Sequence, residues 1–150
     1  DPALPPTWMV AEVMSFGALS KWIDNLRHRP DRQAIAKPFV LDERVFTSFA
    51  HHVSIIRNIA AHHGRLWNKR FAFTMILPRS PGQLPVAMRG ADQRLLHNTL
   101  VMLDHLLSVV APGNEWRRRV VDLITGCPQA NPAMMGFPAD WNTRAAWRVA

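Results

Sequence analysis

The chain has a single cysteine, no long apolar run and almost no strand pattern. Cys127 alone excludes an internal disulfide and a cysteine-rich metal site, which fits the reducing cytoplasm. No apolar segment approaches the roughly 18–20 residues that a membrane-spanning helix needs, so we expect no membrane partner. Alternation of apolar and polar residues is rare, whereas spacings of three and four residues dominate. We therefore expect an all-α cytoplasmic protein.

Acidic residues are missing from one third of the chain. Between Arg44 and Ala91 the sequence has seven Lys or Arg residues and no Asp or Glu, and this excess equals the formal net charge of +7. Fixed positive charge raises the local concentration of polyanions, and nucleic acid is a common partner of such a field. The alternative is a solvated basic surface without a partner.

The overall composition indicates a folded protein. Hydrophobic residues make up 48% of the 150 residues and charged residues 19%, which excludes a disordered tail. We expect residues 1–125 to form one helical domain. Residues 126–150, which contain Pro and Trp, are expected to form a tail packed on the same domain.

The apolar spacing predicts several helices separated by Pro and Gly signals. The predicted helices cover residues 8–26, 31–37, 42–61, 92–110 and 114–124. Ser15-Phe16-Gly17 interrupts the first, so that two helices or one kinked helix both fit. The predicted N-caps are Thr7, Asp42 and Asn114. Prolines over residues 78–85 predict a loop, and the tail is expected to contain one short helix.

The helix predicted over residues 42–61 has an unusual polar face. At 100° per residue, His51, Asn58 and His62 fall on the side opposite to the core-forming positions, and Arg65 joins them if the helix continues that far. Exposed faces normally carry Glu and Lys. A stripe of His and Asn without a carboxylate therefore marks a candidate functional surface.

Two strings in the sequence resemble a known family. Residues 57–68 read RNIAAHHGRLWN, and Arg57-Asn58 followed by His62 resembles the R-x4-H motif of HEPN domains, which are helical nucleic-acid-binding domains that include many ribonucleases. The whole string resembles the R-N-x-x-A-H-H-x-R-L-W-N block of Abi-like proteins, the bacterial abortive-infection proteins of the AbiD and AbiF type. Residues 5–20, PPTWMVAEVMSFGALS, resemble the P-P-x-W-M-x-x-E-x-x-S-F-G-x-L-S segment of the same family.

The resemblance implies a HEPN-like helical bundle and a metal-independent endoribonuclease of a phage-defence system, acting as a homodimer without a cofactor. Arg57 would stabilise the developing negative charge, His62 would act as general acid or base, and Asn58 would orient the imidazole or the phosphate. Imidazole suits this role because it titrates close to neutral pH. A second His62, from the other protomer, would take the complementary acid or base role.

The residues after Asn58 are candidates for RNA binding, namely His63, Arg65, Lys69 and Arg70. His63 and Arg65 fit equally well as cations at a helix C-terminus, where the helix dipole favours positive charge. Zinc is not expected, because adjacent histidines on a helix point about 100° apart and no carboxylate or cysteine accompanies them.

Other interpretations of the same residues stay open. The domain is alternatively a non-catalytic RNA-binding module, or a toxin-like subunit that an RNA or protein antitoxin holds inactive. The resemblance also leads us to expect that the chain is the C-terminal part of a longer protein.

Overall fold

The computed structural model describes residues 4–149. Within this range lie seven α-helices and four short 3-10 turns, and no strand. The α-helices are α1 (Thr7–Val13), α2 (Phe16–Asp24), α3 (Arg29–Ala36), α4 (Glu43–Ala61), α5 (Gln83–Met88), α6 (His97–Val110) and α7 (Trp116–Thr125). The 3-10 turns are Lys37–Phe39, Pro132–Met135, Trp141–Thr143 and Ala145–Trp147. The predicted all-α class is confirmed. No helix in the described range combines the length and the apolarity needed to cross a bilayer.

The first helical region consists of two separate helices rather than one kinked helix. Met14 is extended, and the side chain of Ser15 then caps α2 by accepting a hydrogen bond from the backbone N–H of Ala18 at 3.2 Å. The prediction of Thr7 as an N-cap is wrong by one residue, because Pro6 occupies the extended cap position and Thr7 is already helical.

The longest helix, α4, forms the centre of the fold. Asp42 caps it as predicted, since its side chain accepts a hydrogen bond from the N–H of Arg44 at 2.9 Å. Val45 and Phe49 enter a core that also includes Val101 and Met102 of α6. On another side α4 is covered by α2 and α3. Burial on two sides holds α4 in place from its first turn onward.

A buried histidine joins α4 to two other parts of the chain. The ring of His52 hydrogen-bonds through Nδ1 to the carbonyl oxygen of Phe73 at 3.1 Å and through Nε2 to Oγ1 of Thr99 at 2.9 Å. Because a carbonyl only accepts, Nδ1 carries the proton and Nε2 accepts from the threonine hydroxyl. Burial lowers the pKa of His52, which keeps the ring neutral. His52 is therefore a structural residue.

Two segments differ from the sequence-based prediction. The proline-rich loop contains α5, and Pro85 is compatible with this helix because the N–H groups of a first turn have no intrahelical partner. In addition, α6 begins at His97 rather than near residue 92. The side chain of Asp92 accepts hydrogen bonds from the N–H of Arg94 at 2.9 Å and from Arg70 at 2.8 Å, and these bonds hold a turn before the helix.

The C-terminal segment is joined to α6 through the fully buried His97. Trp147 donates its indole N–H to Nε2 of His97 at 3.2 Å, so Nδ1 carries the ring proton and donates to Asn98 at 3.0 Å. Phe137 packs edge-on against the same ring, with centroids 4.6 Å apart. Instead of the predicted single short helix, the segment contains three 3-10 turns. Arg144 donates to the carbonyls of residues 86, 87 and 89, which end α5.

The burial of His97 leads to a prediction of how the free energy of unfolding depends on pH. Burial, together with the positive charge of Arg144, lowers the pKa of His97 from 6.5 to about 4. Between these values the unfolded state binds more protons than the folded state. The free energy of unfolding should therefore decrease as the pH falls through this interval, by up to about 3 kcal/mol from this residue. Urea unfolding followed by tryptophan fluorescence at several pH values measures the effect.

The control is His97→Gln, which keeps a polar side chain that does not titrate. We expect its stability to depend less on pH over the same interval. His52, whose pKa burial also lowers, would supply part of the remaining slope. Equal slopes in the variant and the wild type would contradict this account.

Candidate nucleic-acid site at the end of α4

The three predicted catalytic residues lie together at the C-terminal end of α4, and all are exposed. Arg57 and Asn58 belong to the last turns of the helix, and His62 is its C-cap. The guanidinium of Arg57 donates to Oδ1 of Asn58 at 3.3 Å, and the backbone N–H of His62 donates to the carbonyl of Asn58 at 3.0 Å. Asn58 is thus hydrogen-bonded to both partners, through its side chain to one and its backbone to the other.

The turn that follows is a Schellman motif. The N–H of His63 donates to the carbonyl of Ala60 at 3.0 Å, and the N–H of Gly64 donates to the carbonyl of Ile59 at 2.7 Å. His63 adopts a left-handed conformation with φ of 55°. The helix therefore ends at Ala61, as predicted, and Arg65 does not continue its polar face.

The predicted RNA-binding residues have different surroundings. His63, Arg65 and Lys69 are exposed, and none of them forms an ion pair within residues 4–149. Arg70 instead forms an ion pair with Asp92, with 2.8 Å between Nη1 and Oδ2. The N–H of Arg94 and the guanidinium of Arg70 hold the pKa of Asp92 below its usual value. Asp92, the first acidic residue after the acid-free segment, thus neutralises the charge of Arg70 within that segment.

The polar face of α4 forms one wall of a groove rather than an open surface. His51, Ser54, Ile55 and Asn58 of α4 face Lys21 and the residues around the start of α2 across a cavity of about 460 Å³. The half-buried His51 also lines a second cavity of about 570 Å³, which includes Phe73. Because His51 lines both cavities, we call the two together the α2–α4 groove.

Lys21 and Phe73 belong to this surface and were not predicted from the sequence. Lys21 is the only cation of α2, and its four-residue spacing from Gly17 is a local signal that places both on one helix face. For Phe73 no local signal exists, because it reaches the groove through a non-helical segment. Its ring packs edge-on against His51, with centroids 4.7 Å apart.

The histidines do not combine into a metal centre. In residues 4–149, no three His, Cys, Asp or Glu side chains are close enough to one another to hold a metal ion. His52 is buried between Phe73 and Thr99, whereas His62 and His63 are exposed at the far end of α4. Their exposure leaves His62 and His63 accessible to a polyanion.

Fold and site together define the class of this protein. It is an all-α protein with a polar groove and an exposed Arg-Asn-His cluster. Residues 1–68 match the family model described as Abi-like protein. This stretch contains α1 to α4 and the complete segment from Arg57 to Asn68, and it supports the similarity to Abi-like proteins over that part of the chain. No curated protein and no solved structure matches the chain.

The Schellman motif predicts a specific sensitivity at Gly64. A Cβ atom there would lie 2.8 Å from the carbonyl oxygen of Ile59 and 2.7 Å from its Cγ2 atom. Because backbone cannot move aside cheaply, Gly64→Ala should destabilise the protein by about 1–3 kcal/mol. Gly82→Ala is the matched control, since nothing lies within 4 Å of its added Cβ. Thermal unfolding of both variants tests this, and equal stability of the two would contradict the assigned turn.

Proposed function

We propose that this protein is a metal-independent endoribonuclease in a bacterial phage-defence system of the abortive-infection type. The match of residues 1–68 to Abi-like proteins supports the defence role. One observation carries the chemical part: the side chains of Arg57 and His62 are both exposed at the C-terminal end of α4, and neither is enclosed in hydrophobic packing.

The chemistry needs no group beyond the RNA and these side chains. The 2′-hydroxyl of the RNA loses its proton to one imidazole and attacks the adjacent phosphorus. The bond to the 5′-oxygen breaks, and a second imidazole donates the proton that this oxygen takes up. The products are a 2′,3′-cyclic phosphate and a 5′-hydroxyl. Arg57 stabilises the negative charge that develops on the phosphate oxygens.

A homodimer supplies the second imidazole in this proposal. One His62 acts as base and the His62 of the second protomer acts as acid, so that two Arg57–His62 sets act on one phosphodiester. We propose in addition that Arg57 and His62 form an R-x4-H motif of the HEPN type. The exposed position of His62 after the last turn of α4 leaves it accessible to a second protomer.

The charge distribution supports RNA as the substrate. The acid-free segment from Arg44 to Ala91 contains the candidate catalytic residues, and Arg65 and Lys69 are exposed beyond the helix end. Arg70 contributes less to this field, since Asp92 neutralises it. We therefore expect His63, Arg65 and Lys69 to contribute more to RNA binding than Arg70.

A second candidate function is RNA binding without cleavage. The same field and the α2–α4 groove would hold an RNA whether or not His62 transfers protons. In that case the protein is an RNA-binding module, or a toxin-like subunit that RNA or a protein antitoxin keeps inactive.

Cleavage by the purified protein separates these candidates. In the presence of EDTA, the wild type should cut single-stranded RNA and leave 2′,3′-cyclic phosphate ends, which chromatography of the products detects. His62→Ala should lower the rate by about 10²–10⁴-fold, which is the typical contribution of general acid–base catalysis. Its affinity for RNA, measured by fluorescence anisotropy, should change little.

His28→Ala is the matched control, because His28 is an exposed histidine outside the motif. It should cut RNA at the wild-type rate. A wild type that binds RNA with a steep salt dependence and never cuts it would favour the binding module, and equal activity of His62→Ala and wild type would refute the assigned site.

A further inference from the structure

The part of the α2–α4 groove nearest Arg57 has charge of one sign. Its charged side chain is the exposed Lys21, and the remaining polar groups that line it are Ser15, His51, Ser54 and Asn58. No carboxylate lines this part, although carboxylates are common on exposed helix faces. The hydroxyl of Ser54 already donates to the carbonyl of His51 at 2.7 Å. A phosphate group is the ligand that such a surface favours, because it can accept hydrogen bonds from the hydroxyl of Ser15 and the amide of Asn58 and is attracted by the ammonium group.

The part beyond His51 has a different character. Phe73 and Ile76 present partly exposed apolar surface there, at 37% and 52% exposure. Charged side chains of both signs surround them, namely Asp24, Arg32, Glu43 and Arg44. An apolar face beside mixed polar groups suits a nucleobase, which stacks through its plane and forms hydrogen bonds at its edge.

His51 lines both parts, so that they lie on either side of one residue. Asn58 stands two turns further along α4, about 10 Å away at 1.5 Å per residue, and next to Arg57. A strand that occupies the groove thus runs directly to the candidate catalytic residues. Resting on the RNA substrate of the proposed function, we propose that the α2–α4 groove binds one nucleotide of a single-stranded RNA, with a phosphate at Lys21 and the base against Phe73.

Binding of a fluorescent single-stranded RNA to the full chain, measured by anisotropy at several salt concentrations, tests the phosphate position. Lys21→Glu should weaken binding severalfold and reduce the salt slope by about 0.7, the value for one phosphate contact on a single strand. Lys37→Glu is the matched control, since Lys37 is an exposed lysine that lines a different cavity, between α3 and the start of α4. An equal effect of both variants on affinity and slope would overturn the position of the phosphate.

The stacking position is tested with Phe73→Leu. Loss of the flat ring should weaken binding about fivefold or more, because stacking of one base contributes about 1–3 kcal/mol. Phe16→Leu is the control, since Phe16 has nearly the same exposure, 36%, and does not line the groove. Thermal unfolding of both variants verifies that each is folded at the assay temperature. Wild-type affinity of folded Phe73→Leu would overturn the proposal.

Strand preference gives a third readout that does not depend on stability. Wild type should bind single-stranded RNA more tightly than duplex RNA of the same length. Tighter binding of the duplex would overturn the groove as a single-strand site.

Failure of this inference is distinguishable from failure of the proposed function. If wild type cuts RNA through His62 while the Lys21 and Phe73 variants bind like wild type, only the groove assignment falls. If these variants lose binding while wild type never cuts RNA, the groove assignment is supported and the proposed ribonuclease activity is refuted.

Discussion

Burial of α4 on two sides is the constraint on which the rest of the structure depends. Its Phe49 side faces the core shared with α6, and α2 and α3 cover another side. Since the helix cannot rotate without exposing apolar surface, the direction of every other residue on it is determined. Arg57 and Asn58 consequently stay exposed, and His51 is held beside α2. The candidate site is a consequence of how the core is packed.

The end of α4 is determined just as firmly, by backbone hydrogen bonds rather than by packing. The left-handed His63 and the close approach of Gly64 to Ile59 end the helix at Ala61, with the candidate catalytic His62 as its C-cap. A non-glycine residue in this conformation carries an energetic cost of about 1–2 kcal/mol. The position of His62 in a turn held by backbone hydrogen bonds suits a group that must meet a phosphodiester in a narrow range of geometries.

Much of the fold was predictable because its signals are local. Apolar spacing identified α2, α4 and α7 within a few residues, and the cap at Asp42 was correct. The start of α6 was missed because the turn before it depends on Arg70, which is distant in the sequence from Asp92. Likewise α5 was missed because Pro85 is read as a helix breaker, although the first turn of a helix tolerates proline.

The sequence by itself determined the helical class, the acid-free basic segment, the order of Arg57, Asn58 and His62, and the likeness to Abi-like proteins, since periodicity, charge and motif spacing are properties of neighbouring residues. Only the tertiary structure decided that the polar face of α4 is the wall of a groove and that Lys21 and Phe73 belong to it. The physical reason is that these contacts join segments far apart in the chain, and the burial of apolar surface elsewhere selects which segments meet.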